Sequence, residues 1–151
     1  MDSESFYCLT TSDAKFNAYA VFQRRIAEKK WPMYSQTKFQ SIMRRGDNIL
    51  FYIAGVHEFR QCFVASAKVK EIKSIKDKKE TTIDPDKMEV QVTAYIYLDN
   101  IKLFKNKIFI KDIINDLAFI GNKKNYGLYF VGGVTRVDEE SNKLIVNKSI
   151  N

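Results

Sequence analysis

Trp31, the only tryptophan, stands in the stretch KKWPMYS, Lys29–Ser35, behind two lysines and in front of a proline. An indole offers a broad π face, and a nucleic-acid base stacked on such a face gains about 1–3 kcal/mol. Lysines beside it attract phosphates. Pro32 disfavours helical geometry at the residue before it, which predicts that Trp31 sits in a loop just after a helix, open to a ligand. The competing reading is a tryptophan that closes the core as packing. Charge points the same way as the stacking reading. Residues 15–45 carry Lys15, Arg24, Arg25, Lys29, Lys30, Lys38, Arg44 and Arg45 against Glu28 alone, an excess equal to the +7 formal charge of the whole chain. Such a cluster attracts polyanions, chiefly nucleic acid; the plainer alternative is a solvated helix face.

Other chemistries find little material. The single histidine, His57, lies beside Glu58 and reads as an exposed loop residue. With one His and two Cys a zinc site of ordinary composition is not expected. Cys8 has no base next to it in sequence to activate it as a nucleophile. VGGVTR, Val131–Arg136, is neither G-x-G-x-x-G nor G-K-[ST] and holds no phosphate loop. No paired acidic motif stands out, so the residues make no case for catalysis and imply no cofactor. The 45% hydrophobic and 28% charged composition is that of a globular protein, with no apolar run of membrane-spanning length. The acidic opening MDSESFYC lacks a secretory pattern. Cys8 and Cys62 fall in apolar runs and read as reduced thiols of a cytoplasmic protein, with a disulfide as the alternative.

The 151 residues are read as one domain, and its elements must position these groups. Ser5–Thr10 reads as an opening strand. Ser12 and Asp13 are placed to cap a helix over Asp13–Lys29, whose Ala18, Tyr19, Phe22 and Ile26 recur at helical spacing. Thr37–Met43 reads as a second short helix with Phe39, Ile42 and Met43 inward, and Arg44–Asn48 as a turn. Ile49–Ala54 is too apolar for anything but a buried strand. Along Cys62–Ile72, Ala65, Ala67 and Val69 alternate with Ser66, Lys68 and Lys70. Residues 73–89 are almost all polar and read as a solvated loop. Val90–Leu98 alternates as a strand, Lys111–Leu117 is a short helix, and Tyr126–Val137 returns to extended structure with a bend at Gly132–Gly133. Asp138–Ile150 reads as a capped terminal helix. Strands cluster in the middle without βαβ alternation, which predicts an α+β domain around a curved sheet or small β-barrel flanked by helices.

Taken in order, several stretches resemble an EVE domain, of the PUA-like group that includes the YTH domains. FYCLTT is similar to the family's opening strand, KKWPMY to the segment after its first helix, and IMRRGDNILFYIAG to its basic Gly-Asp turn and buried strand. FVASAKVKEI is similar to the next strand, although Ala65 stands where Gly is common. INDLAFIGNKKNYGLYFVGGVTRVDEE resembles the last third, with Tyr126 where Trp is frequent. The resemblance spans residues 5–146.

The resemblance implies a PUA-like fold that binds DNA or RNA and takes one modified, methylated base into an aromatic-lined pocket beside a basic surface. Trp31 matches the cage Trp that follows the first helix in YTH domains, and Asn17 the polar helix residue that meets the base edge. A second YTH cage Trp has no counterpart, because residues 73–89 hold no aromatic. Tyr34 and Phe59 are candidate second walls. Thr10, Thr11 and Ser12 follow or end the first strand and are candidates for the base edge, with capping the competing role of Ser12. Lys29, Lys30, Arg44 and Arg45 are candidate phosphate ligands. The alternatives are an RNA- or nucleotide-modifying enzyme of the same fold group and an adaptor whose basic face binds an acidic protein.

Overall fold

The computed structural model describes residues 4–13, 16–34, 37, 39, 41–57, 59–75 and 92–150. In chain order the strands are β1 (Phe6–Thr11), β2 (Lys30–Tyr34), β3 (Asn48–Ile53), β4 (Cys62–Ser74), β5 (Val92–Phe109) and β6 (Val134–Val137). The helices are α1 (Ala18–Glu28), α2 (Ile110–Ile113) and α3 (Glu139–Ile150). The strands form one sheet in the order β2-β5-β4-β3-β1-β6. β1 runs parallel to β3, and every other pair is antiparallel. Beyond Ile75, the polar stretch expected to be a solvated loop lies outside the described residues, as do Lys15 and Lys38 of the basic cluster.

The long strands make the sheet curl. β4 and β5 are 13 and 18 residues long and shift register at Phe63/Ala65, Ser66/Lys68 and Val69/Glu71. Such bulges bend a strand and add twist. In a flat sheet β2 and β3 would lie about 14 Å apart, three strand spacings. Instead the rings of Trp31 on β2 and Phe51 on β3 are 5.2 Å apart. The concave face thus encloses a core of Tyr7, Leu9, Phe51, Val64, Val69, Ile96, Trp31 and Met33, closed by Ala18 and Phe22 of α1. The opposite face carries Cys8, Leu50, Tyr52 and Phe63, covered by Phe130, by Ile113 of α2 and by Ile145 of α3. Burying side chains of this size stabilises the fold by about 1.5–3 kcal/mol each.

α1 begins later than its apparent caps. Asn17 is the N-cap and its Oδ1 accepts from the Ala20 backbone N–H at 2.9 Å. Asp13 accepts from the Ala18 N–H at 2.8 Å and, through its other oxygen, from the Val56 N–H at 2.9 Å. One carboxylate therefore closes the helix start and ties it to the loop after β3. The hydrogen bond from Val56 first, and that from Ala18, hold the Asp13 carboxyl below its usual range against the opposing effect of burial. A side chain at Gly55 would run into this carboxylate. At the other end Lys29 takes a left-handed conformation, φ 57°, and its N–H returns to the Ile26 carbonyl at 3.1 Å.

Three segments differ from the sequence expectation. Trp31 is not in a loop: it is the second residue of β2 and only 3% exposed. β2 is an edge strand, and a proline is tolerated on an edge because its missing N–H removes no ladder bond. Of Thr37–Met43, the described residues form turns, not a helix. Phe39 has φ 64°, which no right-handed helix accommodates, and Ile42 is 48% exposed, although Met43 is buried. Tyr126–Phe130 is a 3-10 helix, not extended chain. The stack of Phe130 on Tyr52, 3.9 Å between centroids and 11° from parallel, holds it there. Gly132 and Gly133, φ 94° and 87°, then turn the chain into β6.

Candidate functional site

Basic pairs far apart in sequence meet on one rim. The Lys29 carbonyl accepts from Leu98 N–H at 2.9 Å, Leu98 pairs with Val69, and the Val69 carbonyl accepts from Gly46 N–H at 2.9 Å. This row crosses β5 and β4 and sets the Lys29 backbone about 14 Å from Gly46, the residue that follows Arg44–Arg45. The Arg44–Asp47 turn is pinned by the buried Asp47 carboxylate, which accepts from Ser5 N–H at 3.2 Å and Arg44 N–H at 2.9 Å. Lys29, Arg44 and Arg45 are exposed. Lys30 lies over the Tyr95 ring and Lys73 over the Tyr97 ring, at 4.7 and 5.4 Å. Between the turn and β4 runs an open cleft of about 400 Å³, lined by Met43, Arg44, Arg45, Lys70, Glu71 and Ile72. Lys70 and Lys73 were not among the sequence candidates; the alternation of β4 already placed Lys70 on the outer side.

Trp31 and Tyr34 form a second group beneath α1. Trp31 packs against Phe51, and Phe51 against Phe22 at 5.4 Å. The guanidinium of Arg25 lies 4.7 Å from the Trp31 ring centroid, and its Nη2 donates to the Tyr34 hydroxyl at 3.5 Å. Arg25 is only 6% exposed. In the sequence Arg25 reads only as charge, although its helical spacing from Ala18 and Phe22 puts it on the buried side of α1.

The remaining candidates gather toward the N-terminal end of α1, where Asn17 lies about 12 Å along the helix axis from Arg25. Thr10 and Thr11 are buried at the end of β1, and Ser12 is exposed just beyond. The Thr11 hydroxyl is buried with no hydrogen-bond partner among the described residues; leaving such a group unmet costs about 1–3 kcal/mol. Asn17 spends its side-chain oxygen on the helix cap. Phe59 packs edge-on against Tyr19 of α1 at 4.7 Å. His57 is exposed near Asp13, 3.9 Å away. Lys29, Lys30, Arg44 and Arg45 thus lie with Trp31 and Tyr34 toward the C-terminal end of α1, and Thr10, Thr11, Ser12, Asn17 and Phe59 toward its N-terminal end, with Phe59 linked to Trp31 through the rings of Tyr19, Phe22 and Phe51.

Both cysteines are free and buried, and burial pushes Cys62 up to about 12 and Cys8 upward as well. Among the described residues no cluster of three or more His, Cys, Asp or Glu is arranged to hold a metal, and no helix is long and apolar enough to cross a membrane.

A curled sheet of six strands with helices on both faces defines a PUA-like α+β fold. Residues 5–148 match the family model of the EVE domain, and the chain belongs to that family. Solved structures share the fold at low identity. Human THYN1 protein, in complex with DNA containing 5-methylcytosine, is 13% identical with a TM-score of 0.58, over 98% of this chain and 99% of that one. Rpa0253 of Rhodopseudomonas palustris is 17% identical with a TM-score of 0.56, over 96% and 92%. The N-terminal domain of McrB from Staphylothermus marinus is 8% identical with a TM-score of 0.53, over 97% and 96%. No curated protein matches by sequence.

Proposed function

We propose that this EVE domain is a nucleic-acid-binding module that reads a methylated base. The observation that carries the reading is the hydrogen-bonded row from Lys29 to Gly46, which lays two basic pairs on one rim beside the Trp31 group. Arg44 and Arg45, with Lys29 and Lys30, contact phosphates and supply most of the affinity, while a pocket supplies selectivity. The human THYN1 structure with 5-methylcytosine DNA supports this choice of partner. Trp31 and Tyr34 are the walls nearest the rim. Because Arg25 covers the Trp31 ring, a base stacks on that face in exchange for the guanidinium. Thr11, whose hydroxyl is unmet, serves only a ligand long enough to reach the far end of α1, and the same holds for Thr10, Ser12, Asn17 and Phe59.

The test is the affinity for a short single-stranded oligonucleotide as salt is raised. Each phosphate contacted contributes about −0.7 to the slope of log affinity against log salt for a single strand. Four contacts predict a slope near −3, about a 50-fold loss between 50 and 200 mM salt. Affinity independent of salt would remove the rim from the binding surface, and the absence of binding at low salt would leave the acidic-protein partner as the better reading.

A further inference from the structure

The cleft beside the Arg44–Asp47 turn is more than a run of surface charge, and we infer that it is a nucleotide subsite: it seats the base neighbouring the one that is read, together with that nucleotide's phosphate, and prefers a base with an exocyclic amino group. The inference rests on the nucleic-acid reading above. At about 400 Å³ the cleft is large enough for a small ligand. Its floor is apolar, with buried Met43 and half-buried Ile72, and an unstacked base needs such a floor. Its rim is cationic, Arg44, Arg45 and Lys70 against Glu71 alone. Arginine forks engage phosphate oxygens in pairs, and consecutive arginines on a pinned turn are held for that contact.

Glu71 sets the base preference. In a regular strand Lys70 and Glu71 would face opposite sides. The register shift between Val69 and Glu71 breaks the alternation, and both residues line the cleft. The Glu71 carboxylate faces Lys73 at 3.5 Å, an exposed pair; such pairs are held by little free energy, so the carboxylate accepts a hydrogen bond from a ligand readily. A carboxylate accepts from the cytosine amino group, whereas the carbonyl that uracil carries at the same ring position is a second acceptor and is repelled.

Cytidine and uridine 5′-monophosphates differ at that one group, and the intact protein can be titrated with both at low ionic strength while the Met43 methyl resonance is followed by NMR, assigned with Met43→Leu. CMP should move the Met43 signal and bind about tenfold more tightly than UMP. Cytidine without phosphate, and CMP on the Arg44→Ala/Arg45→Ala variant, should each bind at least about tenfold more weakly than CMP on the wild type. Glu71→Gln, at an exposed position, should bring CMP and UMP to within about twofold of each other while phosphate dependence persists. Equal binding of CMP and UMP by the wild type, or an unmoved Met43 signal in a protein that still binds oligonucleotides, overturns the subsite but not the nucleic-acid reading. Failure to bind any oligonucleotide sinks both.

Discussion

Replacing Trp31 with alanine is expected to cost about 3–5 kcal/mol of stability. The indole is 3% exposed and lies at the junction of three elements: β2, which carries it, Phe51 of β3 at 5.2 Å, and Arg25 of α1 at 4.7 Å. Phe22 closes the same cluster against Phe51. Removing the ring leaves a cavity where the curled sheet meets its helix, and the surroundings are too interlocked to collapse into it. β2, held on one side only, is the element this loosens most. For a chain of this length the loss corresponds to roughly 6–20 °C in melting temperature. Urea unfolding followed by circular dichroism checks it; a loss under about 1 kcal/mol would mean that the ring supports little of the core. Trp31→Phe keeps an aromatic in place and should be the milder change, so it is the variant in which to look for weakened base stacking without general unfolding.

Neutralising the rim is the second large effect. With Lys30, Arg44 and Arg45 changed to Gln, and Lys29 to Asn, oligonucleotide affinity at 50 mM salt should fall at least about 50-fold, with the salt slope reduced by about 3. Asn suits position 29 because the backbone there is left-handed, φ 57°, and Asn tolerates that conformation. The melting temperature should fall only modestly: Arg44 and Arg45 are exposed, where substitutions change stability by about 0.5 kcal/mol, Asn keeps the left-handed end of α1 at position 29, and the loss of Lys30 from the Tyr95 ring costs about 0.5–1 kcal/mol. A variant that folds and binds as the wild type does would show that the phosphates lie elsewhere.

Much of the frame was legible in the sequence because it rests on periodicity. The inward Ala65, Ala67 and Val69 of β4 and the apolar part of the buried side of α1 follow from spacing, and β1 from its β-forming residues. α3 follows from its capping signal: Asp138 accepts from the Ser141 N–H at 3.0 Å, as its position predicts. What was not legible depends on partners distant in sequence. Pro32 signals a break locally, yet an edge of the sheet accepts it in a strand. Phe39 and Ile42 have helical spacing, but Phe39 turns left-handed to reach Tyr7, with ring centroids 5.8 Å apart. Tyr126–Phe130 has the composition of a strand and is held as a 3-10 turn by the stack on Tyr52. The candidate site divides the same way. Its residue types could be picked out one by one, whereas the grouping of Lys29 with Arg44, and the separation of Trp31 from Thr11, are products of sheet curvature and strand register.

A chain that distinguishes a methylated base within nucleic acid must bind unequally to oligonucleotides that differ by one methyl group. Oligonucleotides identical except for a single base, unmodified, 5-methylcytosine or N6-methyladenine, each as DNA and as RNA, are titrated into the wild-type protein at fixed salt while Trp31 fluorescence is recorded. Burial of a methyl group is worth about 0.8 kcal/mol, and pocket discrimination at that scale reaches about 1–3 kcal/mol. One methylated member should therefore bind about 5- to 150-fold more tightly than its unmodified twin, with the tryptophan signal changing at correspondingly lower concentration. Equal affinity for every methylated oligonucleotide and its unmodified twin would contradict the claim and leave the rim as a surface that holds phosphates without reading bases.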